Sequence, residues 1–312
     1  MKTMISVTNL VKKFGNLCAV DGIHLEILAG EIYGLVGPDG AGKTTTMRLL
    51  CGALGPDQGE IVVAGYDVVR QTELARTQIG YLPQRFSLYE ELTVIENLRF
   101  FAEVRGLKTE DWKPRCIEIL QFVGLADFAD RWAGKLSGGM KQKLGLAVAL
   151  VHQPKVLLLD EPTTGVDPVT RQDFWQLIIR LAESGDVVVL VTTPYMDEAS
   201  RCTRVGFMKK GCLLVEDSPE LLQKRLTDRV IEVKGEPLPL IRRIAAEDAD
   251  VEDAHMFGDR VHLRIRVGEI EAVSNRLEKQ IVLKHGIVTQ LRVVPPQLED
   301  IFMELLELNT ND

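Results

Sequence analysis

The hydrophobic pattern of residues 31–192 alternates between short apolar runs and stretches in which apolar residues recur at helical spacing. Three apolar runs have the length of a strand, namely residues 31–36, 155–160 and 187–192. Runs of this kind predict buried strands. A helix is predicted from Thr44 to about Cys51, and another in the stretch that follows Ser137.

The helix after Ser137 begins with a Ser-Gly-Gly sequence. We expect Ser137 to cap it, so that its hydroxyl lies beside the backbone N–H groups of Gly138 and Gly139. Unpaired N–H donors and the helix dipole make such a terminus an anion site. A Ser-capped helix after an ordinary Gly-Gly turn is the alternative. The helix is expected to end before Pro154 and to carry one apolar face, formed by Leu144, Ala147, Val148 and Val151.

Two further helices are predicted between residues 93 and 124. Thr93 and Glu96 form a capping-box sequence that opens a helix to about Arg105. A second helix stops at Gly124. By itself this amphipathic pair indicates only core packing. The apolar stripe of the second helix consists of Trp112, Cys116, Ile119, Leu120 and Val123.

The pattern changes after about Leu226. The order of the predicted elements is βαββαβ, which suggests a small ferredoxin-like module with a final helix. Ligand sensing is one interpretation of this module, but packing or dimerisation is preferred, because no residue in it marks a site. The strands are predicted at 229–233, 251–256, 261–267 and 287–294, and the helices at 238–246, 269–285 and 297–308.

Composition narrows the possible functions. A chain of 312 residues with 46% hydrophobic residues predicts two domains, or one large domain with an appendage. The net charge of −8 argues against electrostatic binding to nucleic acid or to an anionic membrane surface. The 5 cysteines are scattered, which fits a reducing cytosol and no metal site. No signal-peptide core or bilayer-length apolar run is present, so we expect another chain to supply any membrane span.

A phosphate-binding motif, G-x-x-x-x-G-K-T, lies between the first predicted strand and the helix at Thr44. Its glycines let backbone N–H groups wrap phosphates, Lys43 reaches the β- and γ-phosphates, and the Thr44 hydroxyl binds Mg²⁺. A chance match is disfavoured in this strand–loop–helix setting. The ATP-binding residues expected here are Gly37, Asp39, Gly40, Ala41, Gly42, Lys43, Thr44 and Thr45.

Two carboxylates end the apolar strand at residues 155–160. Asp160 is expected to hold Mg²⁺ together with Thr44, and Glu161 to orient and polarise the attacking water. Without the phosphate loop, Asp-Glu-Pro would indicate only a turn at the end of a strand.

With Leu-Ser-Gly-Gly-Met at residues 136–140, these motifs resemble the nucleotide-binding subunit of an ATP-binding cassette (ABC) transporter over about residues 4–225. The resemblance implies an α/β P-loop cassette with a mixed sheet and flanking helices in residues 1–225. A helical subdomain is expected at about 87–150, and the α+β module at 226–312. The segment that begins at Phe86 is similar to bacterial export (multidrug-like) cassettes.

Other residues match the family one by one. Phe14 resembles the aromatic residue that stacks on adenine, although a lone aromatic is more often a core residue. Gln84 resembles the glutamine that senses Mg²⁺ and the attacking water, in a loop that faces the membrane subunit. Asp167 resembles the aspartate that reaches across a dimer interface.

The chain departs from the family at two positions. A histidine that contacts the γ-phosphate normally stands where this chain has Pro194, and no histidine occurs between His152 and His255. Proline has neither a side-chain donor nor a backbone N–H, so ATP turnover is expected to be slowed here. Asp39 replaces the usual asparagine, which is either a neutral exchange or a slight weakening of triphosphate binding.

The family geometry also implies a partner. Two cassettes sandwich two ATP molecules, each held by the phosphate loop of one cassette and the Ser-Gly-Gly of the other. Ser137, Gly138 and Gly139 are therefore expected to complete the ATP site of a second cassette. That cassette is either an identical copy or a complete homologue.

The expected function is that of an ATP-binding and ATP-hydrolysing exporter subunit that drives a separate integral membrane subunit. Such a subunit would be cytoplasmic and peripheral at the inner face of the cell membrane. A low-turnover regulatory clamp, paired with a complete cassette, is the alternative that Pro194 favours. A cassette acting on ribosomes or DNA is disfavoured by the acidic charge, the single cassette and the lack of a long coiled-coil insertion.

Overall fold

The computed structural model describes residues 2–85, 88–185 and 187–308. Phe86 and Ser87, which begin the export-type segment, and residues 309–312 of the expected module lie outside this description. The chain divides between Glu216 and Asp217 into two compact units. The domain bounds 1–225 and 226–312 stay a prediction. Within the described residues, no helix combines the length and the apolar character needed to cross a membrane.

The first unit contains strands from two sheets and helices on their surfaces. Its strands are β1 (Thr3–Phe14), β2 (Leu17–Leu28), β3 (Ile32–Val36), β4 (Gln58–Val63), β5 (Tyr66–Asp67), β6 (Ile79–Leu82), β7 (Val156–Asp160), β8 (Val188–Thr193), β9 (Arg204–Lys209) and β10 (Cys212–Asp217). Its helices are α1 (Lys43–Leu50), α2 (Thr72–Thr77), α3 (Val94–Val104), α4 (Thr109–Val123), α5 (Gly138–Leu150), α6 (Pro168–Glu183) and α7 (Met196–Ala199).

One sheet is antiparallel, with the order β2-β1-β4-β5, and the other has the order β10-β9-β3-β8-β7-β6. In the second sheet β6, β7, β8, β3 and β9 are parallel neighbours. Every residue of β3, β7 and β8 is buried, which confirms the predicted buried strands. Because the strands are parallel, the residues after β3, β7 and β8 meet at one edge of the sheet.

The core of this unit lies between the two sheets. It contains apolar residues of β1 and β2, of β3, β7 and β8, and the buried face of α1. Met47, Leu49 and Leu50 hold α1 in this core and are fully buried. The helix that follows the phosphate loop is therefore held in place by its apolar residues in the core.

The helical segment confirms several local predictions. Thr93 and Glu96 form the capping box of α3, and α4 ends at Gly124 with its predicted apolar stripe buried. The single apolar face expected for α5 is corrected, because residues 144–150 are buried on all sides. The reason is that α5 packs against α3, α4, α6 and β6 together.

The second unit follows the predicted order βαββαβ, after a short helix. Its sheet has the order β12-β13-β11-β14 with antiparallel pairs, and α9 and α10 supply apolar residues to its core. The name ferredoxin-like stays a prediction. The elements are α8 (Pro219–Gln223), β11 (Val230–Glu236), α9 (Leu238–Ala246), β12 (Val251–Phe257), β13 (Arg260–Ile265), α10 (Ile270–Leu283), β14 (Ile287–Val293) and α11 (Leu298–Leu308).

Candidate functional site

The phosphate loop joins the carboxyl end of β3 to the N-terminus of α1, and two of its glycines are required by close backbone approaches. A Cβ atom on Gly37 would lie 2.1 Å from the carbonyl oxygen of Met208. One on Gly42 would lie 2.2 Å from the carbonyl oxygen of Ala19. Gly42 also has a φ of 106°, in the left-handed region that favours glycine. The loop therefore passes so close to β2 and β9 that only glycine fits at Gly37 and Gly42.

The start of α1 is suited to an anion. Its N-cap residue is Gly42, which has no side chain with which to cap the first backbone N–H groups. Such N–H groups, together with the helix dipole, form a phosphate site.

Lys43 is buried, and its ammonium group is surrounded by oxygen atoms. Nζ donates to the carbonyl oxygens of Gly37 at 2.8 Å and Pro38 at 3.2 Å. It also lies 3.3 Å from Oε1 of Glu161, and the two side chains are only 4% and 7% exposed. A buried cation needs a counter-charge, and Glu161 supplies it.

Asp160 ends β7 with its carboxylate buried among hydroxyl groups. Thr44 and Thr192 both donate to Oδ1, at 3.1 Å and 2.8 Å, and the Tyr81 hydroxyl lies 3.5 Å from Oδ2. Burial raises the pKa of the Asp160 carboxyl, while the hydrogen bonds from Thr192 and Thr44 partly oppose this. Burial, followed by the charge of Asp160, raises the pKa of Tyr81. The Thr44 hydroxyl and the Asp160 carboxylate are thereby brought together.

This pair of oxygen ligands fits the chemistry of Mg²⁺. Proteins commonly bind Mg²⁺ through one or two carboxylates together with substrate phosphates and water. Across residues 2–85, 88–185 and 187–308, no group of three or more His, Cys, Asp and Glu could hold a metal ion. Thr44 and Asp160 supply two neighbouring oxygen atoms of the kind that Mg²⁺ prefers.

Glu161 directly follows β7 and is held from several directions. Its N–H donates to Oγ1 of Thr192 at 2.9 Å, and Nε2 of Gln84 donates to its Oε2 at 2.8 Å. The Thr164 hydroxyl lies 3.4 Å from the same oxygen. Glu161 has a φ of 49°, in the left-handed region that is uncommon for a residue with a Cβ. The carboxylate is therefore oriented by contacts with Lys43 and Gln84.

A cleft of about 410 Å³ brings most of the predicted site residues together. Phe14 lies in it with 48% of its surface exposed, so the alternative of a core aromatic is wrong. Leu17 and Ala19 also line the cleft and were not predicted. Gly37 and Asp160 are not part of the lining. The predicted residues in the lining are Phe14, Asp39, Gly40, Ala41, Gly42, Lys43, Thr44, Thr45, Gln84 and Glu161.

The Ser-Gly-Gly residues do not line this cleft and lie at the N-terminus of α5. Oγ of Ser137 accepts a hydrogen bond from the Met140 N–H at 3.3 Å, which confirms the predicted cap. A Cβ atom on Gly139 would lie 2.1 Å from Cγ2 of Thr170, so this glycine is required by packing against α6. Gly138 has open space beside it and is the more accessible of the two for a ligand.

Asp167 lies next to this helix terminus. It caps α6, with Oδ1 accepting from the Thr170 N–H at 3.0 Å. Hydrogen bonds from Thr170 lower the pKa of the Asp167 carboxyl. Because Thr170 also packs against Gly139, Asp167 and the Ser-Gly-Gly residues share one surface.

Pro194 is half-buried and directly follows β8. The Thr193 hydroxyl before it donates to Glu198 at 2.6 Å, and the Tyr195 N–H after it donates to Oγ1 of Thr193 at 3.0 Å. Sequence reasoning missed Thr192, Thr193 and Glu198. The available signal was two threonines at the end of an apolar strand.

Comparison with solved structures identifies the fold of the first unit. The ADP conformation of MJ1267, an ATP-binding cassette of an ABC transporter, aligns with a TM-score of 0.67 and 27% identity over 72% of this chain and 95% of that chain. The dimeric post-hydrolysis state of the cassette MJ0796, bound to ADP and phosphate, aligns with a TM-score of 0.63 and 28% identity over 69% and 98%. The fold is that of a P-loop ABC cassette.

Sequence comparisons agree with this fold. The family model described as ABC transporter matches residues 20–164. The probable multidrug ABC transporter ATP-binding protein YbhF of Escherichia coli (strain K12) is 46% identical over 228 residues. That match covers 72% of this chain but only 39% of YbhF, so the chain spans less than half of that relative.

Two relatives match over almost their whole length. The Nod factor export ATP-binding protein I of Rhizobium sp. (strain N33) is 37% identical, with 97% of each chain covered. The linearmycin resistance ATP-binding protein LnrL of Bacillus subtilis (strain 168) is 33% identical, with 97% of this chain and 98% of LnrL covered. On this likeness and on its cassette fold, the chain belongs to the family of ATP-binding proteins of ABC transporters.

Proposed function

We propose that this chain is the ATP-binding and ATP-hydrolysing subunit of an ABC exporter and drives a separate membrane-spanning subunit. The observation that carries the proposal is the buried contact between Lys43, Glu161 and Gln84 beside Thr44 and Asp160. It combines a cation for phosphates, oxygen ligands for a metal ion and an oriented carboxylate, which are the parts that phosphoryl transfer requires. The multidrug and export names of its relatives support the exporter assignment.

In this proposal ATP binds in the cleft with its adenine against Phe14 and its triphosphate in the loop of residues 37–45. Lys43 turns from Glu161 to the β- and γ-phosphates, because triphosphate offers a stronger counter-charge. This exchange frees the Glu161 carboxylate for water. Thr44 and Asp160 would hold Mg²⁺, which would neutralise charge on the phosphate oxygens.

Hydrolysis then follows from positioning. Glu161 accepts a hydrogen bond from a water molecule and orients it for attack on the γ-phosphorus. The water oxygen forms a bond to the γ-phosphorus and gives its proton to Glu161. The bond from the γ-phosphorus to the bridging oxygen breaks, and ADP and inorganic phosphate leave. Gln84 keeps the Glu161 carboxylate in place through its hydrogen bond at 2.8 Å.

A second cassette completes the arrangement. Ser137 and Gly138 lie at a helix N-terminus outside the cleft, beside Asp167. We propose that this surface closes the ATP site of a partner cassette, identical or homologous. The dimeric structures of the related cassette MJ0796 support such pairing.

Pro194 sets the expected rate. It stands at the end of β8 with no donor for a γ-phosphate, so we propose slow turnover at the chain's own site. The alternative is a regulatory clamp that binds ATP with little turnover, and Pro194 is the observation that favours it. Retention of Lys43 and Glu161 in contact favours the ATPase.

The rate of ATP hydrolysis by the purified chain tests both points. We expect Glu161→Gln to lower kcat at least about a hundredfold, because the water loses its orienting carboxylate. Pro194→His is expected to raise kcat about tenfold, because one donor to developing charge is restored. A wild-type rate equal to that of Pro194→His would refute impairment by Pro194. If the chain binds ATP but shows no hydrolysis that is lost in Glu161→Gln, the clamp is favoured.

Purification from native membranes tests the partners. We propose that the chain is peripheral at the inner face of the cell membrane, and we expect a multi-span membrane protein to co-purify with it. A second cassette is expected in the same complex. Recovery with ribosomes or DNA would contradict the transporter assignment.

The second unit is proposed to be a packing or dimerisation module rather than a ligand sensor. Its buried polar side chains Glu232, His262 and Asp300 contact charged neighbours within the unit. This internal pairing supports a structural role.

A further inference from the structure

Glu198 of α7 has a fully buried carboxylate that joins two loops. Its Oε1 accepts a hydrogen bond from the Thr163 hydroxyl at 2.5 Å, and its Oε2 accepts one from the Thr193 hydroxyl at 2.6 Å. Hydrogen bonds to a carboxylate at these distances are among the strong ones in proteins. The relative position of Thr163 and Thr193 is therefore set by Glu198.

The two threonines lie near the carboxyl ends of two neighbouring strands, β7 and β8. Thr163 is in the loop after β7, close in sequence to Glu161. Thr193 ends β8 and immediately precedes Pro194. The strands β7 and β8 are parallel neighbours, with Asp160 paired to Thr192. Glu198 thus connects the segments that emerge from the carboxyl ends of these two strands.

Arg171 of α6 supplies a counter-charge to the Glu198 carboxylate. Its Nε lies 3.6 Å from Oε1 of Glu198, and one terminal nitrogen lies 3.7 Å from Oδ2 of Asp197. Its guanidinium group also lies over the Tyr195 ring, 4.5 Å from the ring centroid. A buried carboxylate is costly without such a counter-charge. The segment after Pro194 is therefore fastened both to the loop after β7 and to α6.

We propose that Glu198 is a positioning residue for ATP hydrolysis, which holds the loop that follows Glu161 against the segment that contains Pro194. The proposal rests on the ATPase function proposed above. Glu198 is fully buried and does not line the cleft, so it acts through the two loops that it joins. Lys43 and Gln84 orient the Glu161 carboxylate, and Glu198 adds a constraint on the loop that follows it.

Two variants at Glu198 separate positioning from charge. Glu198→Ala removes both hydrogen bonds and is expected to lower kcat about tenfold to a hundredfold, because small misplacements of a reacting group have effects of this size. The KM for ATP is expected to stay within about twofold, because the phosphate loop holds the nucleotide. Glu198→Gln is expected to recover most of the rate, since its amide can accept from Thr193 and donate to Thr163.

A double-mutant cycle tests the connection without removing Glu198. Thr163→Val and Thr193→Val each delete one hydroxyl and keep the shape of the side chain. Each is expected to lower kcat about fivefold to tenfold, and the double variant is expected to lose little more, because one broken link already separates the loops. Glu232→Gln is the matched control, since Glu232 is also a buried carboxylate with two partners but lies in the second unit.

The outcomes distinguish this proposal from the function on which it rests. A normal kcat in a folded Glu198→Ala variant, or additive effects of the two threonine variants, would overturn the positioning role alone. A Gln variant as slow as the Ala variant would also overturn it. If the wild-type rate does not depend on Glu161, the ATPase function fails and the positioning role fails with it. Should Glu198→Ala not fold, the threonine cycle decides the matter.

Discussion

The first unit buries Lys43 and Glu161 in contact with each other, and the second unit buries Glu232, His262 and Asp300 in a comparable way. In the second unit both Glu232 oxygens accept from arginines, Arg260 at 2.8 Å and Arg292 at 3.0 Å. Nδ1 of His262 lies 3.1 Å from Oδ1 of Asp300. The charged side chains of the two units are buried to a similar degree, but their positions relative to strands and to the cleft differ.

Position in the sheet explains the difference. Glu232 and His262 are paired residues within β11 and β13, where neighbouring strands fix them from both sides. Lys43 and Glu161 instead follow the ends of β3 and β7 and line a cleft. Burial of a charge therefore does not by itself indicate function. We propose that Lys43, which lies beside a cleft, exchanges its partner Glu161 for a ligand.

The largest loss of stability and of ATP binding is expected from a substitution at a glycine of the phosphate loop. Gly42→Ala should reduce the free energy of unfolding by about 3 kcal/mol and abolish ATP binding, because its Cβ would collide with the Ala19 carbonyl at a φ of 106°. Gly40→Ala is the control for stability alone, because Gly40 itself lines the cleft. Its φ is also positive but its Cβ meets open space, so a loss of only about 1 kcal/mol is expected. Urea unfolding measures the stability of both variants, and equal losses of stability would contradict the collision at Gly42. ATP titration measures binding by the Gly42→Ala variant.

A smaller effect is expected from the paired charges of the second unit. Glu232→Gln should lower the free energy of unfolding by about 2 kcal/mol, because Arg260 and Arg292 lose a charged acceptor. The rate of ATP hydrolysis should not change. If Glu232→Gln lowered the kcat of ATP hydrolysis and left stability normal, the buried charges of the second unit would not be purely structural.

The smallest effect is a pH dependence from His262. Burial lowers the pKa of this imidazole, but its hydrogen bond to Asp300 and the charges of Asp300 and Glu232 outweigh burial, so the pKa is raised. Protonated His262 therefore stabilises the fold below its ordinary pKa of 6.5, and this stability is lost as the pH rises through the raised value. His262→Asn should remove the dependence in denaturant unfolding between pH 6 and 9. If acidification destabilised the wild type more than the His262→Asn variant, the predicted direction of the pH dependence would be wrong.

Local motifs made much of the fold and site predictable. The phosphate loop, the cap residue Ser137 and the capping box at Thr93 depend on neighbours within a few residues, and the structure has each in its predicted place. The alternation after Leu226 likewise predicted the order βαββαβ. The environment of α5 could not be predicted in this way, because helices distant in sequence cover its other faces.

The sequence by itself predicted which residues would carry the chemistry, because Lys43, Thr44, Asp160 and Glu161 lie in short motifs whose backbone geometry is local. Only the tertiary structure decided their partners. Gln84 and Glu161 are 77 residues apart, and Thr163 and Glu198 are 35 apart, yet both pairs form hydrogen bonds. Such contacts depend on the order β3-β8-β7-β6, which brings the carboxyl ends of distant strands together. Hydrophobic periodicity specifies a strand and its burial but not its neighbour, so this part of the site required the fold.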